Sequence, residues 1–134
     1  MSTTVGVDLV EIRRIERLLT RAGAAERLLT AREQAYCAAW ANRAARVAAR
    51  FAAKEAVLKA FGTGLSGGIR WTDVEVVNDA RGRPRVELHG EAAAHAARHG
   101  LVSLDVSLSH ACEMAMAQAV AVWRPRGAVH GARS

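Results

Sequence analysis

Apolar residues recur along this chain in two rhythms, and the switch between them outlines a fold. Val47, Phe51, Leu58 and Phe61 fall on one narrow stripe of a helix turning about 100° per residue, which predicts a long helix over 43–61 with that stripe facing the core. Lys54 lies inside the stripe and needs a partner: either it reaches a polar site, or backbone carbonyls satisfy it as a buried charge. Glu55 and Lys59, four apart in the favourable acid-before-base order, run along one edge. Taken alone, they read most simply as a solvated ion pair.

Elsewhere the pattern alternates. Val5, Val7 and Leu9 predict a strand over 4–10 with those three on its buried face and Asp8 turned away from the core. Ile12, Ile15, Leu18 and Leu19 then follow helical spacing to about Thr20, with Arg13, Arg14, Arg17 and Arg21 on the remaining faces. Gly23 ends that helix and 26–29 is a short helical connection. Thr30 with Glu33 three residues on forms a capping box for a helix carrying Tyr36, Cys37 and Trp40, and Asn42 is expected to cap the long helix that Gly62 stops. A glycine-rich loop, 62–68, follows that helix instead of preceding one, which excludes a nucleotide-binding P-loop.

The second half reads as strand 71–78, a hairpin connection over 79–84, strand 85–89, a short alanine-rich helix 91–99, strand 101–109 and strand 114–123, with His110 at the turn between the last two. The order of elements predicts an α+β fold, long helices packed on an antiparallel sheet. Residues 1–125 are expected to form one domain and 126–134 a mobile tail.

Composition adds little to the fold and more to the partner. The 134 residues are 51% hydrophobic and 24% charged, an ordinary globular balance. Much of the apolar fraction is alanine and aromatics are 4%, so large buried side chains are few and self-association is a natural supplement. A net charge of +6 points to an anionic partner: an acidic protein, a phosphorylated small molecule or nucleic acid. Basic residues are not interleaved with aromatics as in a nucleic-acid groove, so no nucleic-acid partner is expected. Cys37 and Cys112 have no metal spacing and read as buried thiols, and no apolar run is long enough to span a bilayer, so the chain reads as cytoplasmic.

The polar groups with chemical potential are Asp8, Lys54, Glu55, Lys59, His110 and the glycine loop. Two carboxylates suit magnesium, which takes one or two protein oxygens and fills its other positions with water and substrate phosphate. Spacing alone does not bring these groups together. A non-catalytic module whose basic helix docks an acidic protein or nucleic acid is the competing reading.

Four ordered blocks carry a resemblance. They are Gly6-Val7-Asp8-Leu9-Val10-Glu11-Ile12; Arg50-Phe51-Ala52-Ala53-Lys54-Glu55-Ala56 with Lys59 and Gly62-Thr63-Gly64; Asn78-Asp79 with Gly82-Arg83-Pro84; and Ser107-Leu108-Ser109-His110. Together, over about residues 5–123, the chain resembles the holo-acyl-carrier-protein synthases, the short, single-repeat 4'-phosphopantetheinyl transferases.

The resemblance implies a 4'-phosphopantetheinyl transferase-like single-repeat fold. It implies a magnesium-dependent enzyme that moves phosphopantetheine from coenzyme A to a serine of apo acyl carrier protein and releases 3',5'-ADP. It assigns Asp8, Glu55 and Lys59 to catalysis, and Asp8 and Glu55 to the metal. Coenzyme A contacts are implied at Arg50, Lys54, Lys59, Gly62, Thr63, Gly64, Arg83, Pro84 and His110, and carrier docking at Arg14, Leu18, Arg21 and Arg27. It also implies a homotrimer with sites between subunits. The immediate base, Glu55 or a water it activates, stays open, as does the carrier served, whether of fatty acid, polyketide or peptide synthesis.

Overall fold

A computed structural model describes residues 1–125. The fold is built around the long helix α4 (Arg43–Phe61), which is buried on most of its circumference. One side rests on a three-stranded antiparallel sheet of order β1-β5-β4, made by β1 (Ser2–Glu11), β4 (Leu101–Ala111) and β5 (Met114–Trp123). Around the rest of the helix lie α1 (Ile12–Leu19), α3 (Ala31–Ala38) and a hairpin of β2 (Val74–Asn78) and β3 (Pro84–Leu88), with α2 (Ala24–Leu28) packed against α1 and α3. A fifth helix, α5 (Gly90–Arg98), leads from the hairpin to β4. This is the expected α+β arrangement, with a second, two-stranded sheet beside the first. No helix among the described residues is long and apolar enough to cross a membrane. The tail expected over 126–134 lies outside the described residues.

Small side chains let α4 sit close to the sheet. The inner face of β5 is Ala115, Ala117, Ala119 and Ala121, all buried. Val47, Phe51, Leu58 and Phe61 are buried as their stripe predicts. Gly62 closes α4 in the left-handed conformation at φ 77°, with its N–H donating to Leu58 and Lys59 carbonyls. Asn42 precedes the helix but does not cap it; its Oδ1 accepts from Arg46 Nε at 3.4 Å.

The strand β1 reverses the expected facing. Val5, Val7 and Leu9 are 53%, 48% and 61% exposed, while Gly6 and Val10 are buried and Asp8 is half-buried on the side of α4. The reason is Gly6: a Cβ there would collide with the backbone carbonyl of Ala56, so the absence of a side chain permits strand and helix to touch. Helix proximity, and not side-chain apolarity, decides which face is inner. Three smaller departures follow local geometry. Residues 71–73 form a 3₁₀ turn before β2, His110 lies within β4 opposite Ala115, and Cys112 is exposed in the β4–β5 turn at φ 55°. Cys37 is buried as expected.

Lys54 is fully buried, and its ammonium is saturated. Nζ donates to Glu33 Oε1 at 2.8 Å and to the carbonyls of Trp71 at 3.0 Å and Val74 at 2.6 Å. Glu33 in turn accepts from the backbone N–H of Thr30 and Val76, so its capping-box carboxylate also ties α3 to β2. Burial pushes the Lys54 pKa down, and the Glu33 charge opposes the shift. Lys54→Met leaves the Glu33 carboxylate buried without its cation and should lower stability by about 3–5 kcal/mol. Urea unfolding checks this, with the double variant Lys54→Met/Glu33→Gln recovering part of the loss; a single-variant loss under about 1 kcal/mol would show the pair to be dispensable.

Candidate active site

The close approach at Gly6 brings three polar groups together on the β1 side of α4. Lys59 Nζ donates to Asp8 Oδ1 and to the Val7 carbonyl, each at 3.0 Å. Glu55, one turn before Lys59, is half-buried beside them. Its carboxyl pKa is raised, first by burial and next by the Asp8 charge, with Lys59 and Arg14 pulling the other way. Two carboxylates that repel each other, with a lysine between strand and helix, form an all-oxygen donor pair suited to a hard divalent cation and a phosphate. Gly62, Thr63 and Gly64 follow Lys59 at the exposed end of the same helix.

A second polar region lies on the other side of α4. A cleft of about 300 Å³ is lined by Tyr36, Arg46, Arg50, Asn78, Pro84 and His110, among others. Arg50 is only 4% exposed; its Nη2 donates to Asn78 Oδ1 at 2.7 Å and its guanidinium carbon lies 4.2 Å from the Tyr36 ring centroid. Arg46 lies over the Trp40 ring at 3.9 Å. The hairpin turn that carries Arg83 and Pro84 is held by Asp79, whose Oδ1 accepts from the backbone N–H of Arg81 and Arg83.

The expected site residues thus divide. Asp8, Glu55 and Lys59 meet at β1, and Arg50, Pro84 and His110 meet in the cleft, with Arg83 exposed on the adjoining turn. Arg50 and Glu55 are five residues apart, roughly 140° around a helix, so they open on different sides of it. Lys54 belongs to neither group: fully buried, with its hydrogens committed to Glu33, Trp71 and Val74, it has no surface to offer coenzyme A. Arg14 and Arg21 are exposed on and just after α1 with Leu18 half-buried, and Arg27 is exposed on α2.

Tyr36, Arg46 and Asn78 are cleft residues that the sequence pattern did not mark. Asn78 stood in the third block and at the end of the expected strand 71–78, with no site role of its own. A different acidic group, Glu75, Glu87 and His89, places its potential metal-ligating atoms within 4.8 Å of one another. There Arg32 already supplies the cation, donating to Glu75 at 2.8 Å and Glu87 at 2.7 Å. Hydrogen bonds to Glu75 from Arg32 first, then from Thr30 and His89, hold its carboxyl down to about 2 despite its burial.

Residues 4–117 match the family model of the 4'-phosphopantetheinyl transferase superfamily. The chain belongs to this superfamily and, within it, to the holo-acyl-carrier-protein synthases. It is 52% identical over 112 residues to the holo-[acyl-carrier-protein] synthase of Alkalilimnicola ehrlichii, covering 81% of this chain and 88% of that one. Among solved structures, the ACPS–CoA complex from Chronobacterium ammoniagenes superposes with a TM-score of 0.83 at 31% identity, covering 93% of this chain and all of that one. The holo-(acyl-carrier-protein) synthase of Bacillus anthracis in complex with CoA (3',5'-ADP) superposes with a TM-score of 0.73 at 36% identity, covering 88% of this chain and 94% of that one.

The approach of α4 to β1 sets the Asp8–Glu55–Lys59 geometry. Gly6→Ala should therefore cost about 1–3 kcal/mol of stability by overpacking. By moving Asp8 off Glu55 it should also lower kcat on the order of 100-fold. Thermal melts and carrier-modification rates measured on the same preparation check both effects.

Proposed function

We infer that this chain transfers 4'-phosphopantetheine from coenzyme A to a serine of an apo acyl carrier protein and releases 3',5'-ADP. The observation that carries the reading is the contact of Asp8 and Lys59 beside Glu55 in a member of this superfamily. Asp8 and Glu55 are the magnesium ligands in this proposal, their oxygen donors and mutual repulsion both fitting a divalent cation. Bound there, magnesium would draw charge from the pyrophosphate at which substitution occurs.

The serine Oγ forms a bond to the phosphorus that bears the pantetheine arm, and the bond from that phosphorus to the bridging oxygen of 3',5'-ADP breaks. Glu55, directly or through a water, accepts the serine proton. Lys59 neutralises charge on the departing phosphate. The Gly62-Thr63-Gly64 turn beyond Lys59 offers backbone that can approach the same phosphates.

With the pyrophosphate at these carboxylates, the remaining 3'-phosphate of coenzyme A needs a cationic cleft. Arg46 and Arg50, with His110 and Pro84 beside them and Arg83 on the adjoining turn, supply one on the other side of α4. In this reading, one coenzyme A draws the two regions from neighbouring copies. A head-to-tail ring juxtaposes the β1 side of one subunit with the cleft side of the next, and a closed ring of three is the homotrimer proposed. The bare outer face of the sheet, where Val5 pairs with Val120 and Leu9 with Met116, supplies apolar surface for such an assembly.

Arg14, Arg21 and Arg27 present a basic surface to the acidic carrier, with Leu18 as its apolar contact. Fatty acid synthesis, with its cytoplasmic acyl carrier protein, is the proposed setting, polyketide synthesis the alternative. Residues 1–125 are proposed as the catalytic domain.

Incubation with coenzyme A, magnesium and apo carrier should raise the carrier's mass by one phosphopantetheine; no shift with fatty-acid, polyketide or peptide carriers would overturn the activity. Asp8→Ala and Glu55→Gln should each lower turnover by at least about 100-fold while the fold persists, and EDTA should do the same reversibly. Near-normal rates in both variants would remove the metal assignment. Leu9→Glu should convert trimers to monomers by light scattering and abolish turnover with them, whereas an unchanged mass and rate would sink the shared-site arrangement.

A further inference from the structure

We propose that Tyr36 and Asn78 are positioning residues that aim the Arg50 guanidinium at a phosphate of coenzyme A, a role that rests on the cleft reading above. Arg50 is an unusual cation. It is 4% exposed, and its Nε is buried with no hydrogen-bond partner among the described residues. Among the described residues its one side-chain hydrogen bond goes to a neutral acceptor, from Nη2 to Asn78 Oδ1 at 2.7 Å. No carboxylate of the described residues lies within ion-pair distance of it, although the chain pairs Arg32, Lys54 and Lys59 with acids. A guanidinium carries five N–H donors, and burying one without an anion is costly. The cost is offset when an anion arrives in the cleft that Arg50 lines.

A long side chain with no fixed partner would lose its aim, and two contacts prevent that. The guanidinium lies over the Tyr36 ring, its Cζ 4.2 Å from the centroid, and this cation–π contact restricts the tilt of the fork. Asn78 accepts from one end of the fork and so fixes its rotation about that plane. Its Nδ2 donates to the Gly82 carbonyl at 2.9 Å, so the same amide also ties down the turn that supplies Gly82 and Pro84 to the cleft. An asparagine at this place orients the cation without neutralising it; a carboxylate here would occupy the charge that the phosphate needs. Preorganisation of this kind acts on coenzyme A affinity and much less on the chemistry, which occurs on the other side of α4.

Steady-state kinetics with coenzyme A varied against saturating apo carrier tests the proposal. Asn78→Ala should raise KM for coenzyme A about tenfold with kcat falling less than about threefold. Tyr36→Leu should act in the same direction, while Tyr36→Phe, which keeps the ring, restores wild-type KM. Arg50→Ala alone should raise KM at least as much, and adding Asn78→Ala to it should cause no further rise, since the asparagine acts through the arginine. Calorimetric titration with 3',5'-ADP should show the same pattern in Kd, and a thermal melt of each variant shows that it is folded. If Arg50→Ala leaves KM unchanged, the cleft reading itself fails. If Arg50→Ala raises KM but Asn78→Ala and Tyr36→Leu do not, or if the Asn78 and Arg50 effects multiply, the cleft reading stands and the positioning role is overturned.

Discussion

The buried contact between Lys54 and Glu33 is the constraint on which the rest of this structure depends. It joins α4, α3 and β2 through a single ammonium whose three hydrogens reach Glu33, Trp71 and Val74. Glu33 completes the network by accepting from the N–H groups of Thr30 and Val76. Apolar contacts alone would allow an alanine-rich helix to slide or rotate in its seat, because alanines interlock weakly. Directional bonds that are expensive to leave unmade hold one register. The rotation of α4 so fixed sends Glu55 and Lys59 toward β1 and Arg46 and Arg50 toward the hairpin.

The second determinant is the missing side chain at Gly6. An alternating strand is normally read by placing its apolar residues inward, and that reading turns Val5, Val7 and Leu9 to the core. The structure turns them outward because the helix comes to the face where backbone contact is possible. This inversion brings Asp8 to Lys59 and leaves an apolar outer sheet face. The site geometry and the exposed surface share this one cause.

Much of the fold was legible in local signals. Thr30 with Glu33, Gly62 after Phe61, and the 79–84 connection each act within a few residues, and the structure shows the capping box, the left-handed stop and the hairpin accordingly. What escaped local reading depends on contacts across the chain. The Lys54 partner lies 21 residues earlier, and the Arg50 partner Asn78 lies 28 residues later. A lysine inside an apolar stripe signals that a buried acid exists, but nothing in sequence spacing selects Glu33, whose capping role already accounts for it. The resemblance supplied Asp8, Glu55 and Lys59 as a group, and the folded chain brings those three together. It also placed Lys54 with coenzyme A, where burial rules it out.

One helix thus carries two unlike polar regions on opposite sides. The carboxylate side suits a cation and a phosphorus undergoing substitution; the arginine side suits an anion that must be held and not transformed. Separating them by α4 keeps Asp8 and Glu55 from pairing with Arg50, which has no carboxylate partner among the described residues. A monomer obtains that electrostatic separation at the cost of distance between the two halves. In the proposed ring the neighbour removes the distance without removing the separation. The small core and the outward apolar face of β1 then become properties of an assembly whose site, like its burial, is completed by a second copy.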